Sequence, residues 1–254
     1  MQLPLPGGCS LQIDFGTSTN QGRVRTSNED SFAAEPDDRL FLVADGMGGH
    51  AAGEVASRIA ATTVVDIVAS ARGGGSSPED MLLRAAQEAN HRIFEAQQHR
   101  PELSGMGSTL TILAFRDGSY CVAHVGDSRA YLLRNGALEQ LTRDHSLVWH
   151  LFESGVLGKD ELSSHPQKNL ITRSIGPHPH VEVDLECGQA LPGDTFLLCS
   201  DGLTDVLSDE RILQLLSVAD MTPQQLGDAL VSAANNGGGP DNITVVVVRL
   251  PLGQ

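Results

Sequence analysis

The stretch 109-TLTILAFRDGSYCVAHVGDSRAYLLRNGALEQLT-142 holds four short apolar runs, TLTILAF, SYCVAHV, RAYLLR and ALEQLT, and its joints decide the fold class. Asp117-Gly118 and Asn135-Gly136 are dipeptides that accept the positive φ of a tight hairpin. The third joint, Gly126-Asp127-Ser128, turns the chain without such a pair. The pattern predicts an antiparallel meander. Outward from it, Ser31 to Ala34, Leu40 to Ala44, Thr195 to Ser200 and Ile243 to Leu250 read as further strands, the last because ITVVVVRL is too β-branched to favour a helix.

Between these strands the period changes to that of a helix. Ala56, Ile59, Ala60, Thr63, Val64, Ile67 and Val68 mark one face of a helix beginning near Gly53. Ser77-Pro78-Glu79-Asp80 then offers an N-cap, a proline at the first helical position and acids in the first turn, ahead of Leu82, Ala86, Ala89, Ile93 and Ala96. Two more helices are expected at Ser208 to Ser217 and Pro223 to Asn235. Helices come in blocks instead of alternating with strands one for one, which predicts an α+β class and argues against a parallel doubly wound sheet. Residues 143–180, rich in His, Gly and Pro, read as a long functional flap. No interdomain linker or internal repeat interrupts the chain, so residues 1–254 read as one domain with its core at about 14–250.

Composition bounds the function. The chain has 254 residues, and 32 Asp and Glu against 17 Lys and Arg leave a formal charge of −15. That surface repels a nucleic-acid backbone. No apolar run approaches the roughly 20 residues that span a bilayer, and MQLPLPGGCS lacks the regions of a signal peptide, so a cytoplasmic protein is expected. Cys9, Cys121, Cys187 and Cys199 are widely spaced and read as free thiols.

The chemistry lies in acids at strand ends. Asp45, Asp127, Asp201 and Asp241 occur in VAD45G, VGD127S, CSD201G and GPD241N, and Glu29-Asp30 precedes a candidate strand. Carboxylates gathered this way repel one another unless a cation sits among them. Hard oxygen donors without a His or Cys set favour Mg²⁺ or Mn²⁺ over zinc. Gly46-Met47-Gly48-Gly49-His50-Ala51 fits G-x-G-x-x-A, but Asp45 would face a pyrophosphate and no parallel strand follows the helix, which argues against a dinucleotide site.

In order along the chain, Arg25-Thr-Ser-Asn-Glu-Asp30, Val43-Ala-Asp-Gly-Met-Gly-Gly-His50, Gly107-Ser-Thr109, Val125-Gly-Asp-Ser-Arg129, Ser200-Asp-Gly-Leu-Thr-Asp205 and Asp241-Asn-Ile-Thr244 resemble the motifs of the metal-dependent PP2C-type (PPM) serine/threonine protein phosphatases in their bacterial form. The resemblance runs from about Asp14 to Leu250. It implies a four-layer α/β/β/α sandwich of two antiparallel sheets flanked by helix pairs, with a two-metal site at one end. It implies that Asp45 bridges two Mn²⁺ or Mg²⁺ ions, that Asp201 and Asp241 complete the first, and that the Gly46 carbonyl binds the second. Glu29 and Asp30 act through water, and Asp127 with Asp201 matches a weaker third ion. Arg25 matches the arginine that grips the substrate phosphate, and hydrolysis follows direct attack of a metal-bridging water on phosphoserine or phosphothreonine. The implied partners are phosphorylated proteins and an opposing Ser/Thr kinase, with the enzyme a monomer. Many eukaryotic relatives carry His where this chain has Met47, so a proton donor is missing there. His50 lies three residues on, and His165 in Ser164-His165-Pro166 could reach the substrate, but both read as structural, which leaves metal-bound water to protonate the leaving group. A catalytically idle binding module, or the same chemistry on a small phosphoester, are the alternatives.

Overall fold

Two-residue alternation along the strands sorts the apolar side chains into three layers. The computed structural model describes residues 12–49, 52–72, 77–158, 161–162 and 165–252; Cys9 and His50 lie outside them. In chain order the elements are β1 (Asp14–Asn20), β2 (Asp30–Glu35), β3 (Leu40–Met47), α1 (Ala52–Ser70), α2 (Pro78–His99), β4 (Gly107–Ser108), β5 (Leu110–Arg116) and β6 (Ser119–Val125). There follow β7 (Arg129–Arg134), β8 (Ala137–Gln140), α3 (Leu147–Glu153), β9 (Asp184–Gln189), β10 (Thr195–Cys199), α4 (Asp201–Thr204), α5 (Asp209–Leu216), α6 (Pro223–Asn236) and β11 (Ile243–Arg249). One sheet runs β1-β11-β10-β7-β8 and the other β2-β3-β5-β6-β9, with β4 paired to the end of β3. The described strand pairs are antiparallel.

Leu40, Leu42 and Ala44 of β3 face α1 and α2, while Phe41 and Val43 face the opposite sheet. In β11, Val246 and Val248 join that middle layer, and Ile243, Val245 and Val247 pack under α5 and α6. A strand buried on both faces needs an unbroken apolar run, which is why ITVVVV shows no polar alternation. Phe115, Phe196 and Tyr120 lock the middle layer, with ring centroids 5.2 and 5.0 Å apart along that series. The layers are thus helix, sheet, sheet, helix, and the α/β/β/α expectation holds. Ser77 caps α2 as its sequence suggests, and Ser208 and Thr222 cap α5 and α6.

Three expectations need correction. The four runs between Thr109 and Thr142 are not one meander: β5 and β6 pair in one sheet, β7 and β8 in the other. Asp117-Gly118 and Asn135-Gly136 adopt positive φ and close true hairpins, whereas Gly126, at φ 116°, carries the chain across from sheet to sheet. The joint without a hairpin dipeptide is therefore the crossover. Second, Cys121 and Cys187 are not free thiols but form a disulfide between β6 and β9, because the register sets them directly opposite. Third, the flap is not all loop, since Ser146 accepts from the Trp149 N–H and starts the short helix α3. Among the described residues no helix is long and apolar enough to cross a membrane.

Candidate active site

The acids converge because the strands that carry them end on the same side of the sandwich. Asp30 at the start of β2 lies directly across from Asp45 near the end of β3. Asp201 opens α4 straight after β10, Asp241 precedes β11, and Asp127 sits in the crossover between the sheets.

Backbone contacts fix Asp45 from both sides. Its N–H donates to Thr109 Oγ1 (2.9 Å), and its carbonyl accepts from the Thr109 N–H (2.9 Å) and the Ser108 hydroxyl (3.0 Å). Thr109 in turn shares a 2.7 Å hydroxyl contact with Ser128, tying β3 to the far side of the crossover. Gly46 must lack a side chain, since a Cβ there would stand 2.1 Å from the Gly53 carbonyl oxygen and 2.6 Å from that of Glu29. The Gly46 N–H donates to that same Glu29 carbonyl (3.2 Å), which also accepts from Ser57 Oγ (2.6 Å). Asn242 binds the remaining loops: its Oδ1 accepts from the Glu29 N–H, and its amide donates to the Gln21 and Ser27 carbonyls, each at 2.8 Å.

These carboxylates are under electrostatic stress. Burial, followed by the charges of Asp30, Asp201, Asp127 and Asp241, pushes the Asp45 carboxyl well above its ordinary range. Asp201 is raised likewise, by burial and then by Asp127 and Asp205. Burial raises Asp30 to about 6 despite hydrogen bonds from Thr244 and Ser200, and raises Asp127 to about 7 with help from Asp144. Glu29 moves up too, chiefly by burial. One buried oxygen in each of Asp30, Asp127 and Asp201 has no hydrogen-bond partner. Orphaned acceptors of like charge, brought together in a closed space, match a divalent cation and little else.

Arg25 stands at the mouth of this cluster, more than half exposed, with Nη2 2.6 Å from Asp241 Oδ2. That contact raises its already high pKa further. Beside Asp127 and Asp201 opens a cleft of about 690 Å³, lined also by Asp144, Trp149, Lys168 and Asp205. Lys168 crosses it to Asp205 at 3.0 Å. The structure thus brings together Asp30, Asp45, Asp127, Asp201, Asp241, Glu29, Gly46 and Arg25. His165 is not brought in by any described contact: its Nδ1 accepts from the Gln167 N–H (3.1 Å) within its own turn. Met47, at the end of β3, pairs with Gly107 and offers no proton.

Sequence reasoning missed several supports. Asn242 and Thr109 stood inside motifs without a role. Arg129 grips Asp144 through Nε and Nη2, at 2.9 and 2.6 Å, and its Nη1 donates to Tyr131, whose hydroxyl reaches Asp209. His145 accepts from the Gly126 N–H at Nδ1 (3.0 Å) and returns its own N–H to the Gly126 carbonyl (2.7 Å), clamping the turn that carries Asp127. Arg129, Thr109 and Asn242 stand inside the quoted motifs, which is the signal that could have found them, whereas His145 lies in the flap segment outside every motif.

Comparison with known proteins identifies relatives along most of the chain. A family model described as Protein phosphatase 2C matches residues 18–229. The serine/threonine protein phosphatase PstP of Mycobacterium tuberculosis is 42% identical over 241 residues, 94% of this chain and 45% of that protein. The chain therefore spans under half the length of that relative. The serine/threonine phosphatase stp of Listeria monocytogenes is 39% identical over 93% of this chain and 95% of its own length. Among solved structures, the catalytic domain of PstP in complex with two manganese ions superposes with a TM-score of 0.86 at 38% identity, over 94% of this chain and 98% of that one. Matched by that family model over residues 18–229 and 39% identical to a phosphatase covered over 95% of its length, the chain belongs to the protein phosphatase 2C family.

Proposed function

We propose that the protein hydrolyses phosphoserine and phosphothreonine in other proteins with the help of Mn²⁺ or Mg²⁺, opposing a Ser/Thr kinase in the cytoplasm as a monomer whose whole chain forms one catalytic domain. One observation carries the reading: the partnerless buried oxygens of Asp30, Asp127 and Asp201, in a cluster that also holds Asp45 and Asp241. The donor set is all hard oxygen, as a divalent magnesium-like ion requires. Asp45, Asp201, Asp241 and the Gly46 carbonyl would hold two core ions, Glu29 and Asp30 would act through water, and Asp127 with Asp201 would hold a weaker third. Bound there, such ions supply positive charge to the phosphoryl oxygens and a water acidic enough to attack phosphorus near neutral pH.

The chain's own residues do the rest. Arg25, held at the mouth by Asp241, offers a planar pair of donors to two phosphoryl oxygens and so orients the group. Thr109, Ser108 and Asn242 keep the Asp45 and Glu29 backbones from moving when charge is neutralised beside them. The cleft beside Asp127 is large enough for residues flanking the phosphorylated one. The test is phosphate release from phosphoserine, phosphothreonine and phosphotyrosine peptides and from a small phosphoester, with Mn²⁺ or with EDTA. The first two should be turned over in Mn²⁺ alone. Activity in EDTA, or none on any peptide, would overturn the proposal.

A further inference from the structure

Away from the acid cluster, Cys121 of β6 and Cys187 of β9 face each other in direct antiparallel register and are bonded. Both sulfurs point to the α2 side, where the Glu79 carboxylate comes within 4.8 Å of each. A cavity of about 290 Å³ opens over them, lined by Pro78, Glu79 and Gly188 among others. The two sulfurs are unequal: Cys121 is 2% exposed within the core, while Cys187 is exposed on an edge strand whose neighbour in the sheet is β6. The remaining described cysteine, Cys199, is buried, and its thiol is pushed up to about 12, so it does not compete.

The other end of β9 reaches the crossover. Asp184, opposite His124 in the register, accepts from Arg173 Nη1 at Oδ1 (2.6 Å) and lies 3.2 Å from His145 Nε2 at Oδ2. His145 Nδ1 accepts from the Gly126 N–H, and its Nε2 meets both Asp184 Oδ2 and, at 2.9 Å, Arg173 Nη1, so the three side chains form one cluster. A continuous chain of contacts therefore runs from β9 through Asp184 and His145 to Gly126, the neighbour of Asp127.

We infer that Cys121–Cys187 is a thiol–disulfide exchange site open to low-molecular-weight thiols and disulfides, and that its state sets how firmly β9 holds the turn carrying Asp127. An incoming thiolate attacks the sulfur of Cys187, the more exposed residue of the pair; the S–S bond breaks, and Cys121 leaves as a thiolate that takes up a proton. A second thiolate attacks the mixed disulfide at the small molecule's sulfur, releasing Cys187 as a thiolate, which is protonated in turn. Two electrons enter the protein pair, and two small thiols become one disulfide. Oxidation is the reverse, with a small disulfide as oxidant. In the reduced state β9, an edge strand of mostly exposed residues, is joined to β6 by its ladder without a covalent link, so Asp184 loses a covalent anchor.

The test counts thiols. The chain has four cysteines, so after denaturation with maleimide the oxidised protein should gain two adducts, four less the bonded pair, and the reduced protein four. Across ratios of reduced to oxidised glutathione the four-adduct fraction should follow a two-electron curve, while Cys187→Ser gives three adducts at every ratio. Hydrogen exchange read by mass spectrometry should show loss of protection in residues 184–189 and 124–128 on reduction, and the same loss in Cys187→Ser without reductant. Four adducts at every ratio, or two at every ratio, would overturn the exchange site. A normal redox curve with unchanged protection at 124–128 would overturn the coupling. Neither readout uses hydrolysis, so the outcome is independent of the proposed activity.

Discussion

Replacing Asp127 with Asn in protein stripped of divalent ions should stabilise it, and by more as the pH rises. Asp127 is 7% exposed, and one of its oxygens has no partner. Its carboxyl is pushed from 3.8 to about 7, by burial first and the Asp144 charge next. Between these values the folded state holds a proton that the unfolded chain has released, so raising the pH favours unfolding. The penalty is absent below about pH 4 and complete above about pH 7. At about 1.4 kcal/mol per unit, a shift of about three units amounts to roughly 4 kcal/mol, or about 10 °C in Tm for a chain of this size. Asparagine carries no charge at any of these pH values. Thermal melts in EDTA from about pH 4.5 to 7.5 should therefore show Asp127→Asn and wild type close together at the acid end and diverging toward neutrality, with the variant the more stable. Saturating Mn²⁺ should remove or reverse the difference. A gap in EDTA that is independent of pH, or a wild type more stable at neutral pH without metal, would refute the reasoning.

Asp45→Asn should lower kcat on an aryl phosphate by more than about a hundredfold, a loss of roughly 3 kcal/mol, with its EDTA melt unimpaired; near-normal turnover would contradict the central place given to Asp45. Arg25→Ala should reduce kcat/KM on phosphopeptides about ten- to a hundredfold, as expected for a lost charge-assisted contact, and Arg25→Lys should recover only part of it because the paired donors are gone; steady-state kinetics decides. Gly126→Ala should cost about 2–4 kcal/mol in a denaturant titration, since its φ of 116° and a Cβ placed 2.6 Å from the Thr109 side chain both oppose it. Under oxidising conditions Cys187→Ser should lose about 4 kcal/mol, from loop-closure entropy over a 66-residue separation, and should match wild type once reductant is added.

Local signals in the chain were sufficient wherever structure depends on near neighbours. Asp117-Gly118 and Asn135-Gly136 specify hairpins because few residues tolerate positive φ, and Ser77-Pro78, Ser208 and Thr222-Pro223 specify helix starts because the free N–H groups there need a cap. The strand-end acids were legible as a group, and so was the excess of negative charge. The edge strands β1 and β9 were not: DFGTSTN and DLECGQ bury little and so show no apolar alternation. Nor could spacing show that Gly126-Asp127-Ser128 changes sheets, since that outcome depends on Thr109 and His145 packing against it from other segments. The same holds for the contact of Arg25 with Asp241, 216 residues apart, and for the Cys121–Cys187 register. Such pairings are chosen by burial of the three apolar layers, in which each strand finds its neighbour by the side chains it must hide, and only the assembled core brings Asp30, Asp45, Asp127, Asp201 and Asp241 to one place.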